Sequence, residues 1–472
     1  MRKFYAFCIF IALSASAVAK EYTFASLAAI SGSGVTIKDG EYVFGPTSDE
    51  EITLDGGGLT VSGSELTIAD GNTLRIADGD VVKFAADARL CVNGDIMAEV
   101  ENGATLTATD EDAAQTAQGI RVFCDKAQCR FSNVTFEFVG ISFGSPQGSL
   151  TLDNCQFKNH NGRLSSNAVN FTAVGSGNAI TECLFTGSYG GCVASGANTP
   201  VGITISHCEF TGNGTSERLL PAINLTCSGD NDIVITDNSV IGRAVVTRAG
   251  GIALSNLLSM DFTNTCTVSR NVVKDNSYGI TITGGGNVSV CDNEISDNHF
   301  IANPMSGGSG INITNPYGTT TAVVSGNTIT GHYWGITVIG ANEVNCGKTA
   351  DPLAADYNPG NNTFSNNGNG DAEYARCDLA NNGTATLYAQ GNTWSVAQQT
   401  PELIETCVYH KADNPSLGEV IFIPASDGAG VESVVRDIST PDGQRYNLLG
   451  QPVGPDSRGI VISNGKKRLV RD

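Results

Sequence analysis

The stretch ITISHCEF, residues 203–210, sets His207, Cys208 and Glu209 side by side, and it can be read as a reactive cluster or as one unit of a repeat. The repeat decides the matter. Numbered from Cys208, the stretch has apolar residues at −5 and −3, a small residue at 0 and a large apolar residue at +2. The same pattern returns in LTLDNCQF (150–157), NAITECLF (178–185), IVITDNSV (233–240), VSVCDNEI (288–295) and AVVSGNTI (322–329). Position 0 is Val134, Cys155, Cys183, Cys208, Asn238, Asn271, Asn293, Asn327, Asn362 and Asn392, at intervals averaging about 29 residues.

A second short strand recurs between these units, as in GISFG (140–144), AVNFT (168–172), GIALS (251–255), GITIT (279–283), GINIT (310–314) and GITVI (335–339). Short strands at a fixed phase, separated by loops of variable length, describe a solenoid of stacked coils. Composition agrees: 56 Gly, 16% charged residues and 40% hydrophobic residues fit a turn-rich all-β chain with a substantial core. The chain resembles a right-handed parallel β-helix, the architecture of pectate lyases and many secreted bacterial proteins. In such a solenoid, equivalent positions stack about 4.8 Å apart. The run of Asn from 238 to 392 therefore reads as an inward asparagine ladder, continued by the small, weakly polar thiols Cys155, Cys183 and Cys208.

Residues 1–19 read as a secretory signal: Arg2 and Lys3, an apolar run, then a small-residue cleavage site after about Ala19. No later apolar run is long enough for a membrane span. The formal charge of −21 argues against nucleic acid as a partner. Without Cys8 the number of cysteines is odd, which excludes complete disulfide pairing; a bond among Cys346, Cys377 and Cys407 stays open. The expected organisation is a cap over 20–34, a parallel β-helix over 35–425, a linker over 426–440 and a β tail over 441–472. Within the solenoid, Pro401 opens a short helix with Leu403, Ile404, Cys407 and Val408 on one face, lying across the last coil. The tail, with YNLLGQPVGPDSRGIVISNGKKRLV (446–470), resembles the type IX-like sorting segment of exported Bacteroidetes proteins. The implied location is secreted or on the outer cell surface, with the periplasm as an alternative.

The family resemblance implies that any chemistry lies on the outer face of the first strand and in the loops flanking it. Lyases of this kind hold Ca²⁺ with carboxylates and use a basic residue; related hydrolases use clustered Asp. The outward positions of the second strand read as Arg121, Ser142, Asn170, Val193, Asn224, Ala253, Thr281, Asn312 and Thr337, then Phe123, Gly144, Thr172, Ser195, Thr226, Ser255, Thr283, Thr314 and Ile339. Arg121 is the one charged residue among them, so no acid–base pair and no Ca²⁺ set is expected there. The five histidines show no metal-ligand spacing, and no cofactor is expected.

Basic residues gather between position 0 and the second strand: Lys158, Arg163, Arg218, Arg243, Arg248 and Lys274, joined by His160, His299 and His332, with Tyr333 and Trp334 close by. Placed over one groove, they would suit an anionic glycan, the aromatic rings stacking on sugar. The expected function is non-catalytic polysaccharide binding along the solenoid. A polysaccharide lyase or glycoside hydrolase, and a structural or adhesive surface protein, are the alternatives.

Overall fold

A computed structural model describes residues 20–45, 66–216, 220–242, 249–299, 307–315, 320–340, 342–368 and 377–426, together with strands at 52–54, 59–61, 445–446, 452–453, 459–463 and 466–470. The fold is all-β: a right-handed parallel β-helix built from a 25-stranded sheet and a 15-stranded sheet, here the major and minor sheets. The chain divides into two units at Ser426, and the second carries a four-stranded antiparallel sheet.

Each coil contributes two strands to the major sheet, one on each side of position 0. The corner between them is made by the residue at −1. Asn133, Asn154, Glu182, His207, Asp237, Arg270, Asp292, Gly326, Asn361 and Gly391 all have φ between 48° and 69°. This left-handed residue reverses the side-chain phase, so that −3, 0 and +2 all point inward. His207 is therefore a corner residue, exposed like Glu209, while Cys208 and Phe210 are buried.

The inward columns hold register over the whole solenoid. At +2, Phe136, Phe157, Phe185 and Phe210 stack with centroids 4.5, 4.8 and 4.9 Å apart and planes within 6° of parallel. Val240, Val273, Ile295 and Ile329 continue that column, followed by Phe364 and Trp394. In the minor sheet the inward column runs Ile120, Ile141, Val169, Val193, Ile223, Ile252, Ile280, Ile311, Ile336 and Leu379. None of these ten side chains is more than 1% exposed. The expected outward frame thus slips at one strand, where Val193 points in and Ala194 points out; the paired glycines Gly190 and Gly191 ahead of it permit either frame.

The recurrent glycine before the minor-sheet strands has a steric cause. A Cβ on Gly279 would sit 2.3 Å from the Gly310 carbonyl oxygen and 2.8 Å from Ile295, and one on Gly310 would sit 2.7 Å from the His332 ring.

The ends differ from expectation in detail. Residues 35–44 form an antiparallel hairpin rather than a coil, and its second strand joins the solenoid beside Val81–Phe84. Over it lies a one-turn helix, Phe24–Ala28, capped by Thr23 and Ser26, with Phe24 and Leu27 buried. At the other end the helix is a single turn, Pro401–Ile404, running into a 3-10 turn. Ile404 and Cys407 are buried, but Leu403 points outward and Val408 belongs to a strand that starts one more partial coil. In the coil of Asn362 the chain detours between Asn345 and Asn358, so Val344 and Cys346, rather than Tyr357 and Pro359, take the inward places below Ala322 and Val324. The thirteen cysteines among the described residues, Cys346, Cys377 and Cys407 included, are free thiols.

Candidate functional site

The position-0 column is a hydrogen-bonded ladder. From Asn238 through Asn271, Asn293, Asn327, Asn362 and Asn392, each rung donates its backbone N–H and its Nδ2–H to the Oδ1 of the next, at 2.9–3.1 Å. Nδ2 also donates to the −3 carbonyl of the preceding coil, from Asn238 to Ile205 and on to Asn362 with Val324. Every polar atom of an interior rung side chain is thereby satisfied without water.

The cysteine rungs copy this scheme with weaker groups. Cys208 donates its N–H to Asn238 Oδ1, and the N–H groups of Cys183 and Cys155 point at the sulfur of the next rung at 3.4 Å. The thiols of Cys155 and Cys208 donate to the −3 carbonyls of Phe131 and Ile180. Hydrogen bonding to the neighbouring thiols and burial push the Cys183 thiol far above the usual cysteine range. Such a group is no nucleophile.

The sequence reading missed a second ladder, five residues after the first. A further left-handed corner at +4, with φ from 52° to 74° at Phe138, Asn159, Gly187, Gly212, Asp275, Asp297, Gly331 and Asn366, turns the +5 residue inward. Asn276 donates to Asn298 Oδ1, the Asn298 N–H donates to His332 Nδ1, and the His332 N–H donates to Asn367 Oδ1. The Nδ2 groups of Asn276, Asn298 and Asn367 and Nε2 of His332 reach the +2 carbonyls of the preceding coil. Nearer the N-terminus, His160, Ser188 and Asn213 fill the same places. His160 and His332 are therefore structural rungs, 2% and 1% exposed, and not groove residues. Burial lowers both to about 4, so they are neutral at physiological pH. The sequence signal was available: +5 is His, Ser or Asn in coil after coil.

The other expected site residues do not converge. Lys158 and Lys274 lie at +3 on the outside of the major sheet, Lys158 beside Glu137 and Lys274 within 4.0 Å of Asp275. Arg163 is tied to Asp87 at 3.0 Å. His299 and Tyr333 are half-buried in edge-on contact at 5.6 Å. Trp334 is 6% exposed, packed on Cys377 and Ala380, and offers no ring face to a ligand. Arg218, Arg243 and Arg248 lie outside the described residues.

Glu405, His410 and Asp413 bring three metal-ligating groups together near the end of the solenoid. His410 Nδ1 accepts the Val420 N–H, so its proton sits on Nε2, which donates to Glu405 at 2.9 Å. A metal at Nε2 would require that proton on Nδ1, where it would meet the Val420 N–H. The cluster is a structural cap.

What remains is the outer face of the minor sheet. Its first outward row is Arg121, Ser142, Asn170, Ala194, Asn224, Ala253, Thr281, Asn312, Thr337 and Ala380. A second row includes Phe123, Gly144, Ser255, Thr283, Thr314 and Ile339. Among these residues Arg121 carries the one charge, and no carboxylate is present to bind Ca²⁺ or move a proton, so a lyase-type Ca²⁺ does not fit this face. Along the first row the half-buried amides and hydroxyls of Ser142, Asn170, Asn224, Thr281 and Asn312 step about 4.8 Å per coil, while Ala194, Ala253, Thr337 and Ala380 are buried.

Among the described residues no helix is long and apolar enough to cross a membrane. No curated protein matches the chain in sequence. Solved structures of similar shape include a double mutant of the periplasmic alginate epimerase AlgG, 10% identical, covering 86% of this chain and 83% of that one with a TM-score of 0.47. They also include the Dettilon tailspike protein, 14% identical over 71% of this chain and 61% of that one, TM-score 0.27. The bacteriophage CBA120 tailspike protein 3 is 13% identical over 84% and 64%, TM-score 0.28. Residues 118–315, spanning the coils from Gly119 to the strand Ser309–Asn315, match the family described as the right handed beta helix region.

Proposed function

We propose that this chain is an exported or cell-surface solenoid of Bacteroidetes type that binds a polysaccharide along the outer face of the minor sheet and carries out no reaction on it. One observation carries the reading: a strip of half-buried Ser142, Asn170, Asn224, Thr281 and Asn312 recurs in axial register on the outer face, interrupted by the buried Ala194 and Ala253, with Ser255, Thr283 and Thr314 in the row beside it. Such a strip offers donors and acceptors in series to a polyhydroxyl chain. Each contact contributes only about 1 kcal/mol, and repetition supplies the affinity. Of the groups that would favour a densely anionic glycan, five among the described residues are engaged elsewhere: two histidines in a ladder, Arg163 on Asp87, and two lysines on the other sheet. Export rests on residues 1–19, and sorting on the tail at 441–472.

A glycan array probed with the full chain, run beside an ultraviolet assay for unsaturated uronic ends, tests this. Binding without product is the expected result. Product formation would establish the lyase alternative, and binding to no glycan would leave the structural or adhesive one.

A further inference from the structure

The outward rows carry, at Arg121 and Phe123, a patch unlike the rest. Phe123 is 68% exposed, although aromatic rings in this solenoid otherwise lie mostly inside. Its ring leans along the sheet over Gly144, where a Cβ would come 3.5 Å from a ring carbon and 2.6 Å from Thr172 Oγ1. The Arg121 guanidinium stands 5.7 Å from the ring centroid, in no ion pair among the described residues. Ser142 and Asn170 follow Arg121 in register, one and two coils on. A broad apolar ring, one guanidinium, an amide and a hydroxyl thus share an area of roughly 10 by 7 Å, the reach of two strand spacings by two residues.

We infer that Phe123, Arg121, Ser142 and Asn170 form a subsite for a single uronic acid unit, a pyranose bearing a carboxylate. The inference rests on the polysaccharide-binding reading and names a chemical class for one end of the face. The ring's C–H face packs on Phe123, the carboxylate takes the two parallel N–H groups of Arg121, and the ring hydroxyls meet Asn170 and Ser142. The fit is to a sparse acidic unit in a mainly neutral chain, because the rows beyond are uncharged and a protein of charge −21 repels a dense polyanion.

The probes are the methyl glycosides of glucuronic and galacturonic acid and, as the neutral control, methyl glucoside, titrated into the full chain by NMR. A monosaccharide subsite binds in about the millimolar range. Expected are saturation-transfer contacts from at least one uronide, a neutral control at least about tenfold weaker, and loss of roughly tenfold in affinity in Phe123→Ala and Arg121→Gln, with Phe123→Tyr retaining binding. Both side chains are exposed, and circular dichroism confirms that the variants fold. Equal affinity for methyl glucoside, no contact with any probe, or unchanged binding in both loss variants overturns the subsite. A protein that binds glycans on the array yet fails these tests keeps the general function and loses this one. A protein negative on the array loses the function, and the uronide titration still decides the subsite.

Discussion

The solenoid contains two ways of building one corner. From Cys155 to Cys208 the rungs are thiols and the +2 column is a parallel stack of phenylalanines; from Asn238 to Asn327 the rungs are amides and the column is Val and Ile. The backbone at the corner does not distinguish them, since the −1 residue is left-handed in both and Phe210 passes in register to Val240 at their junction. Either side chain supplies a donor and an acceptor along the axis, and the corner forms without them at Val134, which follows the left-handed Asn133. What changes is the source of cohesion. An amide rung uses all its polar atoms in charge-neutral hydrogen bonds worth about 1 kcal/mol each, whereas a thiol hydrogen-bonds weakly and its coil leans on ring stacking worth about 0.5–1.5 kcal/mol beyond burial. The pairing is not obligatory: Asn362 and Asn392 sit beside Phe364 and Trp394, stacked at 5.1 Å.

The strongest way to break this comparison is to cut one rung on each side. Asn293→Ala leaves the Asn271 backbone N–H and one of its two Nδ2–H groups without an acceptor, and the Val268 carbonyl and Asn327 Oδ1 each short of a donor, and is expected to destabilise by about 4 kcal/mol or more. Cys183→Ala, which removes one sulfur, should lose roughly 2 kcal/mol. Urea denaturation, with hydrogen exchange at the flanking amides, measures both; equal losses would erase the distinction.

A pH titration separates the second ladder from the first. His160 and His332 fall from an ordinary value of 6.5 to about 4 on folding, so the unfolded chain takes up protons first as pH drops. Their stability is complete above pH 6.5 and declines between 6.5 and 4, by up to roughly 3 kcal/mol for each histidine. His332 faces Asn298, the Ile295 carbonyl and His299, and no carboxylate among the described residues bonds to it. His332→Asn should flatten its share of the decline, read as the thermal midpoint against pH, while ladder variants at position 0 leave the slope unchanged.

Converting one corner into the other is the gentler test. Cys208→Asn would continue the amide ladder from Asn238 and reach the Ile180 carbonyl, and a stability change within about 1 kcal/mol is expected. The smallest effect is chemical. In the folded protein a maleimide should label Cys124 and Cys291, the two half-buried thiols among those described, and spare Cys155, Cys183 and Cys208. Rapid labelling of Cys208 would remove it from the interior.

The repeat unit was legible because the ladder, the −3 column and the +2 column recur at one phase, and three coupled columns leave little freedom. The second ladder sits at a fixed +5 but mixes His, Ser and Asn at the start of loops of varying length, so His160 and His332 read as surface chemistry. A loop histidine and a rung histidine look alike until the backbone dihedral at +4 is known.

The sequence by itself determined the solenoid, its corner and the inward identity of Cys208, because alternation and period are one-dimensional properties that stacking converts directly into position. Only the tertiary structure decided which polar residues face in and which basic residues are already paired. It alone showed that Phe123 lies against Gly144 with Arg121 beside it. Those facts depend largely on contacts between coils, from about twenty residues apart in the chain to the 76 that separate Arg163 from Asp87, whose partners are chosen by local dihedrals and packing that no periodic pattern records.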